Sequence, residues 1–439
     1  MKVGFIGLGC EKNVVNTEQM IFKARAAGHT IVDQAEGADA VVINTCGFIE
    51  PAKKEAIDTI MEIAELKKEG KVGKIVVAGC LVQRYKDSIA DEIYEADAFV
   101  DVGSFDDIAD VLADLENKET VTRFADPDAS SVEGERVRTT QRQTAYLKIA
   151  EGCSNRCAYC AIPAIRGRYR SREMGSILAE AREMAREGVK EIILIAQDTT
   201  NYGVDLYGKR RLCDLLREIA AIDGVRWIRM LYLYADKITP ELLELMASEE
   251  KILPYVEMAV QHSEDKILKA MRRPGGRQSL LQTLSDIRAA LPDAVIRTTL
   301  IAGFPGETEK EFEGLCEFVR QARFDRLGVF PYSREEGTPA YDMPGQVPEE
   351  EKLRRAEVLE DIQSDIALQK LSARVGQTLT VLTEGFDRYA ECWYGRSYGE
   401  APDIDGKIFF TAGGHVKSGD FVKVRITDIL DFDLLGEEA

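Results

Sequence analysis

The sequence predicts a multidomain α/β protein in three parts: an N-terminal parallel α/β sheet domain, a central partial (β/α)6 barrel and a small C-terminal β-barrel of OB-like size. Three observations carry this prediction. Short apolar runs alternate with stretches of helical length, that alternation is interrupted once by a polar segment, and after Gly376 it gives way to short strands separated by turn signals. At 439 residues the chain also exceeds the usual size of a single domain.

Residues 1–115 offer KVGFIGL, AVVINT, KIVVAG and AFVDV as strands, with helices from Asn13, Pro51, Gln83 and Phe105. Residues 116–144 lose all apolar periodicity, so an exposed linker is set at 116–138 and the central domain at 139–373. The central domain supplies six strand candidates, AYLKI, EIILIA, WIRMLYL, YVEMAV, VIRTTLI and RLGVFPY, each followed by an amphipathic stretch. Leu353, Ala356, Leu359, Ile362 and Ile366 recur at three- and four-residue spacing and predict a helix packed by one face on the barrel. Residues 374–439, with TLTVLTEG, RYAECWYG, KIFFTAG and DFVKVRITDI, read as a small closed barrel similar in size to nucleic-acid-binding barrels.

Composition narrows the function. Hydrophobic residues make 45% of the chain, and no run of about 18 apolar residues could span a bilayer. With no signal-peptide pattern at the N-terminus, a cytoplasmic location and no membrane partner are expected. The net charge of −19 is spread over the chain, with 12 basic against 21 acidic residues in 1–115, 38 against 43 in 116–373 and 7 against 12 in 374–439. That balance disfavours a partner bound through phosphates and favours a basic protein. Nine cysteines, an odd number, argue for reduced thiols that bind metal or do chemistry.

Six of those cysteines fall into two triplets. Cys153, Cys157 and Cys160 follow the first barrel strand, in a loop at the C-terminal face where barrel active sites assemble. Their Cys-x3-Cys-x2-Cys spacing can wrap one compact four-iron, four-sulfur cluster and leave one iron open for a cofactor. The alternative, a zinc site, lacks a fourth ligand, because only His29, His262 and His415 occur in the chain. Cys10, Cys46 and Cys80 each stand at the C-terminal end of a predicted parallel strand, the edge at which α/β sheets bind ligands. They can converge on a second metal centre; the alternative is three buried structural cysteines. The segment from Gly7 to Lys12 fails as a dinucleotide fingerprint, because Lys12 replaces the third glycine. Arg166, Arg168, Arg170 and Arg172 form the one dense basic patch, read either as a solvated face or as a partner for a carboxylate.

The barrel triplet, with Tyr159 before its last cysteine, resembles the radical S-adenosylmethionine superfamily. The phrases LGCEKN, NTCGFIE and GCLVQRY resemble those of the methylthiotransferases within it, and the match, which includes a C-terminal TRAM barrel, covers essentially the whole chain. The resemblance implies two 4Fe-4S clusters, an auxiliary one on Cys10, Cys46 and Cys80 and a radical-generating one on Cys153, Cys157 and Cys160. It further implies two molecules of S-adenosylmethionine, one giving methyl and one a 5′-deoxyadenosyl radical, a sulfur donor, and a one-electron donor such as flavodoxin or ferredoxin. Gln197, Gln261 and Gly303, at strand ends, are candidates for contact with S-adenosylmethionine, beside the alternative of turn or core roles. Cys213, Cys316 and Cys392 match no ligand position.

Methylthiotransferases divide between those that modify tRNA adenosines and those that modify an aspartate of ribosomal protein uS12. The acidic C-terminal barrel favours the basic protein, free or within the small subunit, over RNA. AQDTTNYGVDLYG, VQHSEDKILKAMRR, FPYSREEGTPAY and EAPDIDG resemble the uS12 type as well. The tRNA-modifying type and a non-catalytic iron–sulfur RNA-binding module are the alternatives.

Overall fold

The computed structural model of the chain describes residues 1–118, 120–129 and 131–439. The N-terminal part is a six-stranded, all-parallel sheet. Its strands are Lys2–Gly7, Thr30–Val32, Ala40–Thr45, Lys74–Gly79, Ala98–Val100 and Val121–Arg123, and the second lies outside the first at one edge. The central strands Ala40–Thr45 and Lys74–Gly79 are nearly all Ala, Val and Ile and are buried on both faces, the signature of a sheet covered by helices on either side.

Two edge strands depart from the sequence expectation. Thr30–Val32 and Val121–Arg123 are three residues each, too short for a period of two to emerge from their surroundings. The latter lies within the segment expected to be a linker, where it completes the sheet against Ala98–Val100. Two positions of that segment, 119 and 130, lie outside the described residues.

All six expected barrel strands form: Thr144–Lys148, Glu191–Ile195, Trp227–Met230, Tyr255–Glu257, Val295–Ala302 and Arg326–Pro331. They make two parallel three-stranded sheets joined by the bridges Ile228↔Ile252 and Leu233↔Met258, in the sequential order of a partial barrel. The helix Glu349–Ser372 covers the last strands and buries Ala356, Leu359 and Ile366 as its spacing predicts, while Leu353 faces solvent.

The C-terminal segment closes into a five-stranded barrel of Thr378–Asp387, Cys392–Arg396, Ile408–Thr411, Phe421–Leu430 and Asp433–Glu438. It plugs the end of the central barrel at which the strands begin. Arg396 pairs with Glu191 at 2.6 Å, Phe421 meets Trp227 edge-to-face at 4.8 Å, and Asp405 accepts from the Tyr255 hydroxyl at 2.6 Å. The strands then run away from this plug toward the three cysteines at their far end.

Candidate active site

In the N-terminal sheet the first strand lies between the second and third, so the strand order reverses between Lys2–Gly7 and Ala40–Thr45. Ligands of open α/β sheets bind at such a switch point, beyond the strands' carboxyl ends. Cys10 and Cys46 follow these two strands, and Cys80 follows the next. The pairing of Thr45 with Gly79 sets Cys46 and Cys80 one step beyond the same rung. Glycines permit the close approach of the three loops. A Cβ on Gly9 would stand 2.8 Å from the Cβ of Cys46, one on Gly47 would stand 2.9 Å from the carbonyl carbon of Cys80, and one on Gly79 would stand 2.4 Å from Asn44 Oδ1. Asn13 ties the loops together, donating through Nδ2 to the carbonyls of Leu8 at 2.7 Å and Thr45 at 3.1 Å.

The barrel triplet is held just as firmly. Cys153 donates its N–H to the Gly167 carbonyl, Asn155 donates to Cys153 Sγ at 3.4 Å, and the Ala158 main chain is pinned between Met271 and Ala340. Arg273 lies 4.4 Å over the Tyr234 ring, and both reach within 3.9 Å of Cys157 Sγ.

Each triplet offers three cysteine thiols, the donor set of an iron–sulfur cluster with one iron left open. Among the described residues no group of three or more His, Cys, Asp or Glu side chains is arranged to hold one metal ion. Burial, reinforced by Cys80 and Cys10, pushes the Cys46 thiol up to about 12; burial together with Cys157 and Cys153 does the same to Cys160. Thiols this reluctant to ionise lose their protons readily only to a bound cation.

A side chain just past the barrel triplet reaches the sheet triplet. The expected basic patch is not a solvated face: Arg168 alone is fully exposed, Arg170 is half-buried against Asp128, and Arg166 and Arg172 are buried. Arg166 ends the helix Ile162–Arg166 that follows the barrel triplet and crosses into the N-terminal sheet domain. There it donates to Asn16 Oδ1 at 2.7 Å, to Asn13 Oδ1 and to Cys80 Sγ at 3.1 Å. Behind it, Glu151 receives Lys148 at 2.9 Å and Gln197 at 2.6 Å and lies 3.6 Å from Arg166. Burial alone would raise the Glu151 carboxyl, but Lys148 and Arg166 outweigh it and bring it down to about 2. Farther along the rim, Glu11 accepts from the Tyr232 hydroxyl and Lys12 lies 3.1 Å over its ring. On the opposite flank Glu335 binds Arg84 at 2.6 Å, Lys53 at 3.2 Å and the Glu50 N–H at 2.9 Å. Asn13, Glu11 and Glu335 were missed by the sequence reading, since their partners lie far away in the chain.

The three candidate cofactor contacts have different surroundings. Gln197 lies in the Glu151 network, and its Oε1 is buried without a partner. Gln261 is buried in left-handed backbone with φ 70°. Gly303 is dictated by packing, since a Cβ there would come within 2.4 Å of Lys352 Cγ on the long helix. A groove of about 1250 Å3 lies elsewhere, between the helices Glu11–Ala26 and Met174–Arg186. Arg136, Arg138 and Arg172 on its wall are matched to Glu18, Glu180, Glu187 and Glu133, which marks it as a seam between domains.

Residues 147–319 match the radical SAM superfamily, residues 2–101 the uncharacterized protein family UPF0004 and residues 375–438 the TRAM domain. The chain is 47% identical over 436 residues to the ribosomal protein uS12 methylthiotransferase RimO of Thermoanaerobacter sp. (strain X514), covering 99% of each. It is 43% identical to the protein of that name from Clostridium acetobutylicum, covering 99% of this chain and 98% of the relative. Among solved structures, the radical S-adenosylmethionine methyltransferase TsrM from Kitasatospora setae shares the fold, with a TM-score of 0.57 at 12% identity over 88% of this chain and 81% of that one.

Proposed function

Because the chain belongs to the RimO family of radical S-adenosylmethionine methylthiotransferases, we propose that it inserts a methylthio group at the β carbon of an aspartate of ribosomal protein uS12. The observation that supports this reading is the reach of Arg166, from the helix just past the barrel triplet, across the domain interface to Cys80 Sγ at 3.1 Å. When bound, the clusters and S-adenosylmethionine would relay the donor's electron and supply the 5′-deoxyadenosyl radical, the methyl group and the place at which sulfur is delivered.

In this reading Cys153, Cys157 and Cys160 hold the radical-generating cluster, and Cys10, Cys46 and Cys80 hold the auxiliary one. Glu151, locked between Lys148, Arg166 and Gln197, fixes the floor of the site and keeps its charge there balanced. Gln197, with an acceptor left over, and Gln261 contact S-adenosylmethionine, while Gly303 admits the long helix. The N-terminal domain, clamped by Glu335 on one flank and by Tyr232 on the other, roofs the barrel mouth and excludes water. The electron donor is of the flavodoxin or ferredoxin class and the sulfur comes from a separate donor. No described helix is long and apolar enough to cross a membrane, in keeping with a substrate met in the cytoplasm.

The acidic C-terminal barrel, 7 basic against 12 acidic residues, favours uS12 over tRNA. Mass spectrometry of uS12 and of tRNA from cells lacking the chain tests the assignment. A missing methylthio group on uS12 with tRNA unchanged is the expected result; fully modified uS12 overturns it.

A further inference from the structure

We infer that the exposed face over Cys157, bordered by Arg156, Lys269 and Arg272, is the docking surface for an acidic one-electron carrier protein. The inference rests on the radical reading above, in which each cleavage of S-adenosylmethionine consumes one electron from outside the chain.

Access is the first argument. Cys153 and Cys157 are each only 6% exposed, yet Ser154 and Arg156, in the loop between them, face solvent. Ala158 donates its N–H to the Met271 carbonyl at 2.9 Å, which lays residues 271–273 alongside the cysteine loop. There the two successive arginines part. Arg273 turns inward, 7% exposed, toward Cys157 Sγ, the Ala259 carbonyl and the Tyr234 ring. Arg272 turns outward. A single layer of residues therefore separates a cluster ligand from the surface, and electron transfer slows steeply with every added layer.

Charge is the second. In a chain of net charge −19, the cations around this loop divide into paired and unpaired ones. Lys237, beside the loop, is taken by Asp198 and Asn155, and the nearby acids Glu264 and Asp265 are turned to Arg277. Among the described residues, Arg156, Lys269 and Arg272 have no ion pair, side-chain hydrogen bond or ring contact. They are exposed, unpaired cations in an acidic molecule, Arg156 on the cysteine loop and Lys269 and Arg272 on the segment that hydrogen-bonds to it.

Backbone conformation is the third. Arg156 has φ 55° and Arg272 φ 57°, left-handed values that cost a residue with a Cβ about 1–2 kcal/mol. Arg272 sits just past the helix Asp265–Ala270, at the position glycine most often fills. The backbone cap of that helix, in which Arg273 donates its N–H to the Leu268 carbonyl at 2.8 Å, accounts for Arg272, whereas among the described residues no side-chain contact holds Arg156 in its left-handed conformation, and such strain concentrates where a side chain serves function. An acidic partner gives both guanidinium groups their counter-charge. On docking, the carrier is oxidised by one electron and the barrel cluster reduced by one, with no bond made or broken between the proteins.

The test compares two reductants on the reconstituted holoenzyme: reduced flavodoxin as the acidic carrier, and dithionite, which needs no docking surface. Arg156→Glu with Arg272→Glu should slow flavodoxin-driven bleaching of the cluster by about tenfold or more and abolish the salt dependence of flavodoxin binding. Dithionite-driven bleaching and cleavage should stay within about twofold. Arg156→Gly with Arg272→Gly, which relaxes the backbone, should lose the flavodoxin response while melting no lower than the unsubstituted protein. An unchanged flavodoxin rate overturns the proposal. So does equal loss with both reductants, which would make the arginines supports of the cysteine loop, and so does weakened uS12 binding with electron delivery intact. If dithionite yields no cleavage in the unsubstituted protein, the radical reading itself falls and the docking surface with it.

Discussion

The two cysteine triplets reach similar chemistry by opposite routes. Cys153, Cys157 and Cys160 lie in one loop, fastened within the barrel by Gly167, Met271 and Ala340. Cys10, Cys46 and Cys80 come from three strand ends, meet only once the sheet has formed, and draw one of their contacts, Arg166, from the other domain. The difference teaches that the barrel triplet is a local property of the chain and the sheet triplet a property of the assembled fold. Damage to the domain interface should therefore cost the second before the first.

The largest effect expected comes from removing the six cysteines themselves. Alanine at all three barrel cysteines should abolish reductive cleavage of S-adenosylmethionine, measured as 5′-deoxyadenosine formed with dithionite. Alanine at Cys10, Cys46 and Cys80 should leave that cleavage running while methylthio insertion stops. Loss of cleavage in both variants would erase the distinction.

Next is Arg166→Leu. It strips a buried guanidinium from Asn13, Asn16, Cys80 and Glu151, and breaking such a network costs about 3–5 kcal/mol. The melting temperature should fall, and iron should leave the sheet triplet while the barrel triplet keeps its own, as resolved by Mössbauer spectroscopy. Equal loss from both sites would show that Arg166 supports the fold generally rather than the interface.

Glu335→Ala should act more gently. It leaves Arg84 without its carboxylate while Lys53 keeps Glu50, about 1–3 kcal/mol, and should speed hydrogen exchange in residues 47–53 and 80–85 without changing dithionite-driven cleavage.

The smallest effect is acid weakening of the same clamp. Burial would raise the Glu335 carboxyl, but the bonds from Ser333 and Arg84 prevail and hold it below the ordinary 4.5. A carboxyl lowered on folding stabilises the folded form above its ordinary value and loses that contribution as pH falls through its folded value. Protection of residues 80–85 should thus decline below about pH 4.5 in the unsubstituted protein, and Glu335→Ala should lack that decline.

The same contrast explains what could be read from the sequence. The barrel triplet was legible because all its information lies in eight consecutive residues. The sheet triplet was legible because each cysteine ends a strand whose apolar run is plain, so one inference about parallel topology brought three distant positions together. Arg166 and Arg172 were not, because nothing local distinguishes a buried arginine from a solvated one when its partners, Asn13, Asn16 and Glu180 among them, belong to other elements. Val121–Arg123 stayed hidden in polar surroundings, and Glu335 in a loop of charged residues gave no sign that it would clamp a domain more than 200 positions upstream.

Iron content tests the central claim most directly. Anaerobically reconstituted protein should bind about eight irons, falling to about four when either cysteine triplet is replaced by alanine. About four irons in the intact chain would contradict the account, since the sheet edge would then hold only three buried cysteines.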